Sequence, residues 1–257
     1  MPRHCYVLRV FIRDGAGGNH LGVVTDRSGL SDQAMQDIAA ELAFSETIYL
    51  DWRDQEIPKV RIFTPAAELP FAGHPLVGMT WILNVLGPGG PGEIECGVGR
   101  VRARMDGDMA WIDAALNQPV TLEADLPGYD PGVVPVSVTE VQMPLAYHVI
   151  ELADTGAVRS APMPEQGMIS VYAWVDDGTI HTRFFAPGHA VPEDPATGSA
   201  AVALAASLKA RGRPDGELTL FQGEEMGHPS LILLRWSGDV ASIGGAVVRD
   251  EVRWLNE

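Results

Sequence analysis

The chain has 257 residues, 46% hydrophobic and 20% charged, enough for a packed core and too apolar for intrinsic disorder. Eighteen Lys and Arg against 34 Asp and Glu leave a net charge of −16, so no basic face is available and nucleic acid is excluded as an expected partner. The longest apolar stretches, such as residues 200–208, fall short of the roughly 20 residues of a membrane span, and residues 1–13 lack the apolar core and small-residue cleavage site of a signal peptide. Cys5 and Cys96 form no CxxC pair and no disulfide framework. The expectation is a soluble, cytoplasmic protein with two free thiols and no membrane partner.

Residues 6–12 read as a strand, 14–19 as a Gly-rich turn and 21–25 as a second short strand. Ser31 has the character of an N-cap, followed by Met35, Ile38, Ala39 and Leu42 at helical spacing. Strand patterns follow at 45–50 and 60–64. Residues 73–86 form a strongly apolar helix ended by Gly87. Short strands are predicted at 100–104, 110–115, 133–138, 146–151 and 170–175. A second long apolar helix covers 199–210, stopped by Gly212 and Pro214, and strands at 218–222, 230–235 and 247–254 complete the chain. Two helices apolar nearly all round, among many strands, predict an α+β fold in which sheet encloses each helix.

The approach to the two helices repeats. Arg61-Ile62-Phe63-Thr64-Pro65 resembles Arg183-Phe184-Phe185-Ala186-Pro187, and Pro70-Phe71-Ala72-Gly73-His74-Pro75 lines up with Pro195-Ala196-Thr197-Gly198-Ser199-Ala200. The offset grows from 122 to 125, which implies a three-residue insertion in the second loop. An internal duplication of the whole chain follows, with residues 1–120 as one lobe, 121–249 as the other, and 250–257 packing back on the first. Pro75 suits the first position of a helix and makes His74 its cap, with Ser199 equivalent. If the lobes face each other, both helix N-termini point into one cleft that favours a carboxylate or phosphate. The alternative is two ordinary capped core helices.

Glu46 shares the apolar alternation of Phe44, Ile48 and Leu50, which suggests a desolvated carboxyl with a raised pKa, suited to moving protons near neutral pH. The competing reading is a strand-end Glu facing water. Asp194, between Glu193 and Pro195, is either a second acid or base or a loop and capping residue.

Ser45-Glu46-Thr47, Phe63-Thr64-Pro65, Ala72-Gly73-His74 and Asp194-Pro195-Ala196-Thr197-Gly198-Ser199-Ala200, with the Gly18-Asn19 turn and Gly244-Gly245, together resemble the PhzF (phenazine biosynthesis-like) family from about residue 8 to residue 250. The resemblance implies the diaminopimelate-epimerase-like fold, two pseudo-symmetric lobes each with a curled β-sheet around a central helix. It also implies an isomerase without a cofactor. In the best-understood family member a Glu shifts a proton on a dihydro-hydroxyanthranilate ring, so that an enol becomes a ketone. Carried over, that Glu is Glu46, with Asp194 assisting as an acid and His74 and Ser199 positioning substrate or stabilising charge. Gly73, Gly198, Asn19 and Thr197 fall at substrate-binding positions. A neutral His74 is expected at a helix start. Family members are often homodimers. His20 stands where the family often has Pro.

Related epimerases carry a thiol before each helix glycine. Here those positions are Ala72 and Thr197, which disfavours a two-thiol racemase. Residues 87–92 match GxGxxG literally, but they follow a helix and contain Pro88 and Pro91, so they read as a linker. Lys59 and Lys209 do not suit a Schiff base, and no histidine pattern has zinc spacing, so neither pyridoxal phosphate nor metal is expected. Ser199, His74 and Asp194 would suit a hydrolase triad, but no GxSxG elbow is present and a capping Ser spends its oxygen on helix amides. A catalytically silent ligand-binding protein of the same fold is the remaining alternative to a PhzF-type isomerase acting on a small carboxylated cyclic metabolite.

Overall fold

A computed structural model describes residues 3–52, 56–87, 92–126, 128–143, 145–187 and 192–255. Contacts divide the chain into two compact units, Met1–Ile12 with Asn19–Asp113 and Gly244–Glu257, and Arg13–Gly18 with Ala114–Ile243.

In chain order the first unit holds β1 (Arg3–Val10), β2 (Asn19–Val24), α1 (Asp32–Leu42), β3 (Glu46–Asp51), β4 (Lys59–Phe63), β5 (Glu68–Leu69), α2 (Gly73–Leu86), β6 (Glu93–Cys96), β7 (Gly99–Asp106) and β8 (Met109–Ala115). The second holds β9 (Val120–Leu122), β10 (Ser137–Gln142), β11 (Ala146–Glu151), α3 (Thr155–Ser160), β12 (Met168–Asp176), β13 (Thr179–Phe185), β14 (Glu193–Asp194), α4 (Gly198–Ala210), β15 (Asp215–Gln222) and β16 (Ser230–Ser237). The last strand, β17 (Val240–Leu255), returns to the first unit and pairs with β1.

α2 has buried residues on every side, including Leu76, Val77, Met79, Ile82 and Leu83, and packs on β1, β2, β3 and β7. A helix without a polar face must be enclosed. Here the pairings run β1–β2–β3–β4–β6–β7–β8–β17 and return to β1, closing the sheet around it. Close approach needs small residues. A Cβ on Gly78 would lie 2.4 Å from Leu21 Cδ2, and one on Gly244 within 2.5 Å of three ring atoms of the buried Trp111. The second unit treats α4 likewise, with β9, β10, β11 and β16 against it.

The duplication is visible in the hydrogen bonding. β1/β2, β3/β4, β4/β5 and β6/β7 are antiparallel, while β2/β3 and β4/β6 are parallel. The second unit repeats each relation in β10/β11, β12/β13, β13/β14, β15/β16, β11/β12 and β13/β15. Side chains repeat too. Arg61 grips Glu68 with two bonds of 2.7 and 2.6 Å over the ring of Phe63. Arg183 grips Glu193 with bonds of 2.8 and 3.0 Å over Phe185.

Several elements differ from the sequence reading. The strand expected at 133–138 lies at Ser137–Gln142, because Pro135 cannot donate to a ladder, and Val134 is 89% exposed. Strands β6, β9 and the two-residue β5 and β14, and the short helix α3, lack the length or period to stand out. Residues 188–191, where the insertion was expected, and 88–91 of the expected linker lie outside the described residues. Among the described residues no helix is long and apolar enough to cross a membrane.

Both cysteines are free and buried. Burial pushes the Cys5 thiol up to about 12, and Cys96 is raised by the same cause. Cys5 is therefore expected to resist iodoacetamide at about pH 8 in the folded protein and to react once unfolded. Mass spectrometry showing ready modification of the native protein would contradict this. Gly244→Ala drives a methyl into Trp111 and is expected to cost about 1–3 kcal/mol, a fall of about 2–12 °C in Tm by calorimetry.

Candidate functional site

In the first unit α1 starts at the expected Ser31 cap, whose side chain accepts from the Ala34 amide, and stops at Ala43 in a left-handed conformation (φ 53°). Three residues later Glu46 opens β3, paired in parallel with Leu21 of β2. Residues Thr47 to Leu50 are all buried, so both faces of the strand are covered and alternation does not separate core from solvent there. Glu46 is neither sealed in an apolar row nor turned to water. It is 18% exposed, and its Oε2 lies 2.9 Å from Nδ1 of His74.

His74 is the second residue of α2 and is 3% exposed. With a proton on Nδ1 it donates to the Glu46 carboxylate, and Nε2 is then an acceptor. That Nε2 is buried with no hydrogen-bond partner among the described residues. Beside this pair the Ser45 hydroxyl donates to Oδ1 of the buried Asn19 at 2.8 Å. His20, at the position where the resembling family often has Pro, stacks on Phe44 with centroids 5.7 Å apart.

The helix starts need correction. α2 begins at Gly73 and α4 at Gly198, so the caps are Ala72 and Thr197, and neither side chain bonds to the helix amides. His74 and Ser199 are therefore not caps, and their polar atoms are free for other partners. Gly73 and Gly198 put no side chain beside the first-turn N–H groups, which face outward from any helix start.

In the second unit Asp194 ends β14, and the Thr197 hydroxyl donates to its Oδ2 at 2.5 Å. Gln222, at the end of β15 and 1% exposed, bonds to both residues. Ser199 accepts a hydrogen bond of 3.0 Å from the Tyr147 hydroxyl, and Tyr147 stacks on Phe184. Sequence reasoning missed Gln222 and Tyr147. Gln222 had a signal: it takes the third buried position of the alternation Leu218, Leu220, Gln222, where an apolar residue is the rule.

One group of residues able to ligate a metal occurs among the described residues, His181, Glu224 and Glu225. His181 Nε2 lies 2.8 Å from Glu225, while Glu224 bonds to Arg13 at 2.6 Å and lies 3.8 Å from Arg159. Two guanidiniums on one carboxylate make this an ion-pair network.

The phenazine biosynthesis-like protein family profile matches residues 8–137 and 133–248. An uncharacterized isomerase of Mesorhizobium japonicum is 36% identical, covering 96% of each chain. The trans-2,3-dihydro-3-hydroxyanthranilate isomerase of Pseudomonas aeruginosa is 32% identical over 91% of each. The crystal structure of a PhzF-family phenazine biosynthesis protein from Bacillus anthracis superposes with a TM-score of 0.81 over 100% of both chains, at 18% identity, a likeness of fold. With most of its length matched in this way, the chain belongs to the phenazine biosynthesis-like family and is an isomerase.

Proposed function

We propose that the chain moves a proton within a small carboxylated cyclic metabolite of the dihydro-hydroxyanthranilate type, with Glu46 as the group that takes and returns the proton. The observation that carries this is the 2.9 Å contact between Glu46 Oε2 and His74 Nδ1 at a buried helix start. A carboxylate that accepts from an imidazole N–H is held in one orientation, as a general base must be. The unpartnered His74 Nε2 is a second reason. A buried acceptor left without a donor costs about 1–3 kcal/mol, and a substrate hydroxyl or amino group would relieve that cost.

The chemistry balances within one molecule. Glu46 removes a proton from a ring carbon, the electron pair shifts along the adjacent double bond, and the Glu46 carboxyl, whose proton exchanges with solvent, returns a proton to the far carbon. The resulting enol becomes a ketone. No oxidation state changes, so neither a redox cofactor nor a second substrate is required. The substrate carboxylate suits the first-turn amides at a helix start, where an anion is favoured. Asp194 and Ser199 are assigned supporting roles, with Asn19, Gly73, Thr197 and Gly198 contributing to substrate binding.

Two relatives' names support the substrate class: the Pseudomonas aeruginosa protein described above and a 30% identical trans-2,3-dihydro-3-hydroxyanthranilate isomerase from Pseudomonas chlororaphis. The test is deuterium incorporation from D2O into trans-2,3-dihydro-3-hydroxyanthranilate and a panel of related cyclic carboxylates, read by mass spectrometry. Glu46→Gln is expected to lower the exchange rate by about 10²–10⁴-fold, with Tm close to that of the parent. A Glu46→Gln protein that exchanges as fast as the parent overturns the reading.

A further inference from the structure

Gln222 is a polar side chain in a place where the fold does not need one. Both ends of its amide are engaged: Nε2 donates to the Asp194 carbonyl at 2.7 Å and to Thr197 Oγ1 at 3.0 Å, and Oε1 accepts from the Thr197 N–H at 3.3 Å. Only one orientation of the amide satisfies all three bonds. The Thr197 oxygen already accepts from Gln222, so its single proton goes to Asp194 Oδ2, 2.5 Å away. A directed chain results, from Gln222 through the Thr197 hydroxyl to the Asp194 carboxylate.

The first unit shows the same scaffold without this chain. Leu69 pairs with Ile62 as Asp194 pairs with Phe184, so Leu69 is the counterpart of Asp194. Ala72 caps α2 where Thr197 caps α4. Gly97 and Gly223 both abut the proline before the helix: a Cβ on Gly97 would meet Pro70 Cα at 2.6 Å, and one on Gly223 would meet Pro195 Cα at 3.0 Å. The residues before them, Cys96 and Gln222, are therefore equivalent. Leu69, Ala72 and Cys96 support the same strand, turn and apolar helix that Asp194, Thr197 and Gln222 support. All three members of the chain change together between the copies, so holding the helix start does not account for them.

We infer that Gln222 is a positioning residue that fixes the Thr197 hydroxyl as a donor to Asp194 and so holds that carboxylate ready for the reaction. This rests on the reading that Asp194 serves the proton shift. The relevant quantity is the titration of Asp194, because a donor aimed at a carboxylate favours its charged form and loss of the donor raises its midpoint.

The experiment is a ¹³C-carboxyl NMR titration of the full chain, with the Asp194 signal assigned by its loss in Asp194→Asn. Gln222→Met and Thr197→Ala are each expected to raise the Asp194 midpoint by about 0.5–1 unit. The double variant is expected to move no further than Thr197→Ala alone, since both act through one hydroxyl, whereas loosened packing would add. If Gln222→Met does not fold, Gln222→Cys, bearing the residue the first unit uses there, takes the same measurement. An unchanged midpoint in the folded Gln222 variant, or additive shifts, overturns the inference. Undiminished deuterium exchange in Asp194→Asn would instead overturn the role of Asp194 in the reaction and leave the titration result standing.

Discussion

Two helices without a polar face set the terms for everything else in this molecule. Neither α2 nor α4 can leave any side in water without exposing Leu, Val, Ile or Met side chains worth about 1.5–3 kcal/mol each when buried. In the first unit the answer is a sheet that closes on itself, and closure demands Gly78 and Gly244 where helix and Trp111 press closest. Enclosure also reaches the first turn of α2. A polar side chain placed there, as His74 is, sits in a buried environment and must find a partner, which Glu46 supplies at 2.9 Å. The Glu46–His74 contact is thus a consequence of how the helix is buried, with one ring nitrogen bonded to the carboxylate and the other without a partner among the described residues.

The duplication separates what the scaffold needs from what chemistry needs. The Arg61–Glu68 and Arg183–Glu193 pairs, each over a phenylalanine ring, survive in both copies because they tie a strand to the turn that feeds the helix. The candidate site positions diverge. Thr47 pairs with Phe63 as Ile169 pairs with Phe185, so the counterpart of Glu46 is Met168. Leu21 corresponds to Tyr147, and His74 to Ser199. One copy therefore holds a carboxylate and an imidazole, while the other holds a tyrosine–serine contact and the Gln222–Thr197–Asp194 chain. A scaffold repeated and then differentiated suits a reaction in which one group does the proton transfer and others hold the substrate.

Features that depend on local pattern were legible in the sequence. The helix Gly73–Leu86, its stop at Gly87, the Ser31 cap and the strand Ala146–Glu151 all follow from period and capping chemistry. The duplication is written in the sequence as the repeated Pro-Gly approach to each helix. What escaped depends on distance through space. Capping moved two residues upstream, to Ala72 and Thr197, because glycine takes the first helical position in both copies. The contact between Glu46 and His74 joins residues 28 apart, and the bond between Tyr147 and Ser199 joins residues 52 apart. No periodicity encodes such pairs. Gln222 was visible as a polar intruder in an apolar alternation, but its meaning required the turn it bonds to.

The same contacts bear on which chemistry the molecule performs. Acyl transfer through Ser199 would need an imidazole or carboxylate to take the serine proton, whereas the partner of its hydroxyl among the described residues is the Tyr147 hydroxyl. That geometry, and not helix capping, is what speaks against a hydrolase. Two-thiol epimerisation would need ionisable cysteines at the helix starts. Those places hold Ala72 and Thr197, and burial pushes the Cys5 thiol up to about 12, far from the range of a thiolate base near neutral pH. The proposed proton shift rests instead on a carboxylate oriented by a buried imidazole, a pair that would need only a carbon acid within reach.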